Sequence, residues 1–333
     1  MNARPRDALA ETLAGALARA AAAIGARGVR EGDVELAPPL RGGRGDLATG
    51  LALRLAPGLG RPAAEVAESL AARIEPPTGL VARVEPAGAG FLNFWLDDAA
   101  VARAVGALAA ELAPALPDQG GRLVLAESEA TVDQGRALLV VEVLSALGAG
   151  PGPEPVPVGP VTLVGDDRVR RSGRRVPLAE LAAELGEDAA RYALFSRRAE
   201  AGLTIELSRW RRPTEVNPAW RAQMAHARLS GIFRSADVPE ASAAGTPDPA
   251  ALGASDLRLL HLLPRLPGAL ARAARGRDPH AVAWFLDGLA DGVLAWTARD
   301  PAPTPDRLRL ARASQLVVAN ALTLLGLAAP DWI

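Results

Sequence analysis

Five arginines fall within eight positions at residues 168–175: Arg168, Arg170, Arg171, Arg174 and Arg175. Guanidinium groups carry planar N–H donors that match phosphate oxygens, so such a cluster can hold a nucleic-acid backbone. It also has a plainer origin. All 37 basic residues of the chain are arginine, and a GC-rich coding sequence favours Arg over Lys everywhere. Local charge weighs between the two. Residues 165–234 hold 14 arginines against nine acidic residues, a balance of +5, while the whole chain stands at −1. Codon bias raises Arg uniformly and does not create that asymmetry. An electrostatic footprint for an RNA backbone does, with a solvated, ion-paired helical surface as the alternative.

Other chemistries lack their residues. The chain has no cysteine, so disulfides, thiolate catalysis and cysteine-ligated zinc are impossible. Its three histidines are His226, His261 and His280. Gly88 and Gly90 lack the third glycine and following helix of a dinucleotide fingerprint. No catalytic residue, cofactor or metal is expected. The longest uncharged run, 313–330, contains Ser314, Gln315, Asn320 and Thr323. That composition predicts a buried helix rather than a membrane span. Asp7 and Glu11 interrupt the N-terminus, so no signal peptide is expected. The expected setting is cytoplasmic, with no membrane partner.

The elements that must position these residues follow from periodicity. A length of 333 residues suits two or three domains, and a hydrophobic fraction of 49% excludes wholesale disorder. Helical spacing predicts a first helix over 6–24, ending at Gly25. Asp46 is expected to cap a second helix, and Pro62 to open a third. Two strands, 80–86 and 91–98, should be joined by the glycine turn 87–90, and Asp97 or Asp98 should cap a helix reaching Leu112. Residues 122–128 look strand-like, ahead of a helix over 135–150. The Pro/Gly-dense stretch 150–160 reads as a linker. A hairpin is predicted over 161–173. Everything beyond should be helical: 178–185, 187–199, 216–235, 255–275, 279–299 and 305–327, with a flexible loop at 236–254.

Read in order, three blocks resemble the arginyl-tRNA synthetases. Residues 45–96, "GDLATGLALRLAPGLGRPAAEVAESLAARI" followed by "VEPAGAGFLNFWL", are similar to that family's N-terminal domain. Residues 176–200 are similar to the segment after its K-M-S-K loop. Residues 216–333, opening on "VNPAWRAQMAHARLSGIFR" and closing on "NALTLLGLAAPDWI", resemble its helical anticodon-binding (DALR) domain. The resemblance implies a mainly α fold in three parts. These are a small N-terminal α+β domain (1–115), a short remnant of a class I synthetase core (116–215) and an all-α anticodon-binding bundle (216–333).

The departures from the family pattern shape the functional expectation. In the family an H-x-G-H signature and a K-M-S-K-type loop serve the ATP phosphates. Here no two histidines are three apart, Gln134-Gly135-Arg136 stands where the second His-Gly-Arg is expected, and the arginine cluster occupies the K-M-S-K position with Ser172 kept. The expectation is therefore a truncated, non-catalytic relative that binds RNA and is not an enzyme. Its implied partner is a tRNA, an arginine tRNA among them, or another structured RNA, with a full-length synthetase or another protein as a further partner. Phe91 and Asn93 match the positions that meet the tRNA D-loop, where an aromatic stacks on a splayed base and an amide reads its edge. The alternative makes Phe91 core and Asn93 a turn residue. Trp220, Gln223, His226 and Arg228 match the helix bordering the anticodon pocket, with Gln223 and His226 on one face. The alternative is an interior histidine and a surface ion partner. Arg168, Arg170, Arg171, Arg174 and Arg175 would hold phosphates. The rival functional reading is a protein-docking module without RNA. An active ligase is the third.

Overall fold

The computed structural model describes residues 7–39, 44–114, 122–150, 155–299 and 302–333. Helix α1 (Ala8–Ala23) starts where the Asp7 carboxylate accepts the Ala10 N–H, and it buries Leu13 and Leu17. Strands β1 (Leu47–Thr49), β2 (Val81–Ala87) and β3 (Phe91–Leu96) form an antiparallel sheet in the order β1-β3-β2. The β2–β3 turn needs glycine. Gly90 has φ +133°, and a Cβ there would meet the Ala63 Cβ at 2.7 Å. Helices α2 (Leu51–Leu59) and α3 (Ala63–Arg73) cover the sheet, and Asp97 caps α4 (Asp98–Leu112).

Asp46 does not cap a helix. Residues 47–49 are strand, and Gly50 stands at the α2 start. The Asp46 carboxylate instead accepts the Leu96 N–H at 2.9 Å and faces the helical part of the chain.

The middle of the chain departs from expectation twice. Residues 122–128 form no strand but a 3₁₀ turn at Leu125–Glu127. Their N–H groups find carboxylates rather than a sheet neighbour: Leu123 N–H donates to Glu142 and Leu125 N–H to Glu187, each at 2.9 Å. Second, Leu203–Glu206 is a strand, β6, within a region expected to be wholly helical. It runs parallel to β4 (Val161–Val164), whose other edge pairs with β5 (Arg170–Ser172) as the expected hairpin. Around this sheet lie α5 (Val132–Ala146), opened by a Thr131–Gln134 capping box, and then α6 (Leu178–Leu185), α7 (Glu187–Phe195) and the short α8 (Leu207–Arg211).

Arg136, on α5, is fully buried. Its Nε–H donates to Leu194 O at 3.2 Å. Nη1 donates to Gly159 O at 3.0 Å and Ala201 O at 2.8 Å, and Nη2 to Arg197 O at 3.2 Å and Arg198 O at 2.8 Å. All five donors of the fork are thus matched by backbone carbonyls. Burial lowers its pKa, with the charges of Asp278 and Asp133 opposing.

The helical part comprises α9 (Pro218–Ala236), α10 (Ala254–Leu260), α11 (Leu266–Gly276), α12 (His280–Thr297) and α13 (Pro305–Leu324). The helix expected over 255–275 is broken, because Pro264 and Pro267 remove two N–H donors around a 3₁₀ turn at Leu263–Arg265. The loop at 236–254 carries two 3₁₀ turns, Glu240–Ala243 and Pro249–Ala251. Helix α13 is buried along nearly its whole length, as its uncharged run requires. Among the described residues no helix is long and apolar enough to cross a membrane.

The N-terminal unit docks on this bundle through α4 against α13 and through one histidine. His261 Nδ1 lies 3.0 Å from Asp46 Oδ1, its Nε2 lies 2.7 Å from Asp98 Oδ1, and Arg265 stands 3.9 Å from Asp46. Two carboxylates on the two ring nitrogens suit the doubly protonated imidazolium. Burial disfavours that charge, but the bonds and charges of Asp46 and then Asp98 outweigh it, so the His261 pKa rises above 6.5. Burial likewise opposes the Asp46 carboxylate, and His261, the Leu96 N–H and Arg265 overcome it, holding its pKa below 3.8.

Two outcomes follow. Arg136→Met strands five buried carbonyls and should lower unfolding stability by at least about 4 kcal/mol, read from the urea midpoint, with Arg136→Lys recovering only part. The His261 contribution is complete below its ordinary pKa of 6.5 and lost as pH rises through the higher folded value. That of Asp46 is complete above 3.8 and lost as pH falls through its lower folded value. Thermal stability should therefore decline on the alkaline side in the native chain, and His261→Gln should flatten that decline.

Candidate nucleic-acid interface

Strand alternation decides which side of β3 meets solvent. Leu92, Phe94 and Leu96 are buried, while Phe91 is 43% exposed and Asn93 and Trp95 are half-buried on the opposite face. The Phe91 ring lies against Gly50, where a Cβ would sit 3.4 Å from its Cε1. Beside it opens a groove of about 490 Å³, floored by Ala48, Thr49, Gly50 and Leu51 and walled by Ala37 and Pro38. Arg54 reaches its edge, where its guanidinium donates to Asp33 O. The Asn93 amide lines the groove and has no hydrogen-bond partner among the described residues. Further along the same face the Arg83 guanidinium stacks 3.7 Å above the Trp95 ring. An exposed ring beside an uncommitted amide can stack on a flat, polar-edged ligand and read its edge.

Helix α9 starts at Asn217, whose side-chain oxygen accepts the Ala219 and Trp220 N–H groups and whose Nδ2 donates to Trp210 O at 2.7 Å. Pro218 takes the first helical position. The expected shared face of Gln223 and His226 is present, and it is occupied from within. Gln223 Nε2 donates to Asp188 Oδ2 at 2.6 Å and to Ala328 O at 3.2 Å. Buried His226 donates from Nδ1 to Pro330 O at 2.9 Å, and Ser230 donates to Asp331 at 3.0 Å. Residues 328–331 are thereby laid along that face. Arg228 lies two residues beyond His226, about 200° around the helix, so it points away from them. It is exposed and without an ion pair among the described residues. Trp220 is half-buried. Arg221 is committed to Asp291 at 3.2 Å and Asp287 at 3.7 Å.

The arginine hairpin divides. Arg171 is held by Glu180 and, at 3.1 Å, by Glu184, and Arg174 stands 3.5 Å from Asp133. Arg168, Arg170 and Arg175 are exposed and unpaired among the described residues. Arg168 sits at the hairpin tip with φ 61°, a left-handed conformation unusual for a residue with a side chain. The unexpected strand β6 adds more cations. Because β4 and β6 run parallel, their carboxyl ends lie side by side, and Arg211 binds Asp166 at 2.9 Å across them. Exposed Arg209 and Arg212 therefore join the hairpin arginines at one edge of the sheet. The alternation of "LTIE", buried-exposed-buried-exposed, was the available signal for that strand.

Comparison with known proteins bears on this geometry. Residues 7–96 match the arginyl tRNA synthetase N terminal domain, and residues 222–333 match the DALR anticodon binding domain. Among curated proteins, an arginine–tRNA ligase of Halorhodospira halophila is 38% identical over 171 residues, 48% of this chain and 29% of that protein. One of Micrococcus luteus is 33% identical over 209 residues, 56% of this chain and 38% of that protein. Thermus thermophilus arginyl-tRNA synthetase shares the fold at a TM-score of 0.63 and 15% identity, over 96% of this chain and 99% of that one. The matched stretches thus span about a third of the curated relatives' own length. One expectation is corrected. The chain was expected to be no enzyme, but its relatives are named arginine–tRNA ligase, an enzyme family. Histidine spacing and a substituted loop do not show that catalysis is lost.

The assignment of the two β3 faces has a direct check. Phe91→Ala should change the urea-unfolding free energy by less than about 0.5 kcal/mol, whereas Phe94→Ala should cost about 3–5 kcal/mol.

Proposed function

With the N-terminal domain of the arginyl-tRNA synthetases at one end and a DALR anticodon-binding domain at the other as premise, we propose that the chain binds tRNA, an arginine tRNA being the first candidate. The observation that carries the reading is Phe91 and Asn93 turned outward over an open groove, the amide without a partner among the described residues, while Leu92, Phe94 and Leu96 make the core. A splayed base of the D-loop stacks on Phe91 and offers its edge to Asn93. The opposite end of the L meets α9, where Trp220 and Arg228 supply an aromatic edge and an exposed cation. Gln223 and His226 act there through residues 328–331, which they hold in place. Between the two ends Arg168, Arg170 and Arg175 take backbone phosphates, while Arg171 and Arg174 keep the hairpin folded through their carboxylates.

The test is the affinity for a labelled arginine tRNA transcript against salt, by fluorescence anisotropy. Affinity should fall linearly in log–log form. Replacing Arg168, Arg170 and Arg175 together with Ala should reduce the slope by about 2 to 3. Phe91→Ala with Asn93→Ala should weaken binding about tenfold or more and leave the slope unchanged. A chain that binds no tRNA at low salt, or a slope indifferent to the three arginines, overturns the reading.

A further inference from the structure

The groove beside Phe91 does not stop at the edge of the N-terminal unit. Its rim at Glu35, Ala37 and Pro38 is shared with a second cleft of about 710 Å³, lying where that unit meets α11 and α12. The far wall is helical: His280 and Trp284, one turn apart on α12, with Arg272 and Arg277 near the end of α11 and Arg198 from the segment after α7. Trp284 is 45% exposed, an indole available as a platform. His280 donates from Nδ1 to Phe195 O at 3.0 Å, which in the neutral ring leaves Nε2 as an acceptor. Of the carboxylates there, Asp278 is spent on the N–H groups of Ala199 and His280, and Glu200 stands 3.9 Å from Arg198. Glu35 is exposed at the shared rim. The volume is that of a small-ligand site, and a stacking surface flanked by guanidinium groups is how proteins hold single-stranded nucleic acid.

Resting on the tRNA-binding reading above, we infer that one RNA strand runs from the Phe91–Asn93 groove over the Glu35–Pro38 rim into this cleft. There an unpaired nucleotide stacks its base on Trp284 and turns its phosphate toward Arg198 and Arg277. Passing the rim, a ribose 2′-hydroxyl donates to the Glu35 carboxylate, which a deoxyribose cannot do. The path joins the N-terminal unit to the bundle, so a single strand senses both.

The experiment uses the full chain with arginine tRNA carrying 4-thiouridine, irradiated and mapped by peptide sequencing, alongside affinities for Trp284→Ala and Trp284→Phe. Crosslinks should fall on the peptide containing Trp284. Trp284→Ala should weaken binding roughly five- to 150-fold, and Trp284→Phe should retain most of the affinity. Parental affinity in Trp284→Ala, with no crosslink at that peptide, overturns this inference. The earlier reading then still stands if Phe91→Ala with Asn93→Ala loses affinity. A parent chain that binds no tRNA, or recovers only protein from lysate, overturns both.

Discussion

A buried guanidinium without a carboxylate at ion-pair distance among the described residues is the constraint on which the middle of this chain depends. Arg136 is fully buried, and its charge is tolerable because five carbonyls meet its five donors. Those carbonyls belong to Gly159, two residues before β4 begins, to the end of α7 and to the run leading into β6. One side chain thereby fixes where both parallel strands start and, through their shared register, where both end. The arginine-bearing edge of the sheet is the far consequence of that cage. A three-stranded sheet has little apolar area of its own to enforce such order.

The second organising contact is the imidazole between Asp46 and Asp98. It ties the N-terminal sheet to the bundle, with one carboxylate from just before β1 and the other from the start of α4. Residues of the sequence motif around Asp46 thus serve docking between units as much as the local fold. The same economy appears on α9, where Gln223 and His226 hold residues 328–331 against the helix.

Much of the fold was legible because local signals and tertiary packing agree. The β2–β3 hairpin announced itself through alternation and a glycine turn, and α4 through its aspartate cap. The failures have particular causes. Strand β6 is four residues long and was absorbed into a helical neighbourhood. Residues 122–128 have strand-like side chains, but their N–H groups are claimed by Glu142 and Glu187, partners no local pattern reveals. Pro264 and Pro267 were visible breakers that the helical period overrode. At the site, alternation offered two faces for β3, and only packing chose between them. The separation of Arg228 from His226 was already implicit in helical geometry. That Gln223 and His226 are occupied by a segment a hundred residues away was not.

The burial of α13 against α4 has a consequence for biogenesis. The helix that completes the N-terminal unit's docking surface, Pro305–Leu324, lies far downstream of α4, so the side of α4 that meets α13 stays open until that stretch has been made. Local hairpins and helices can form as they emerge, but the joining of the two ends is a late, high-contact-order event. Until then the apolar side of α4 that meets α13 is exposed surface of the kind that chaperones cover.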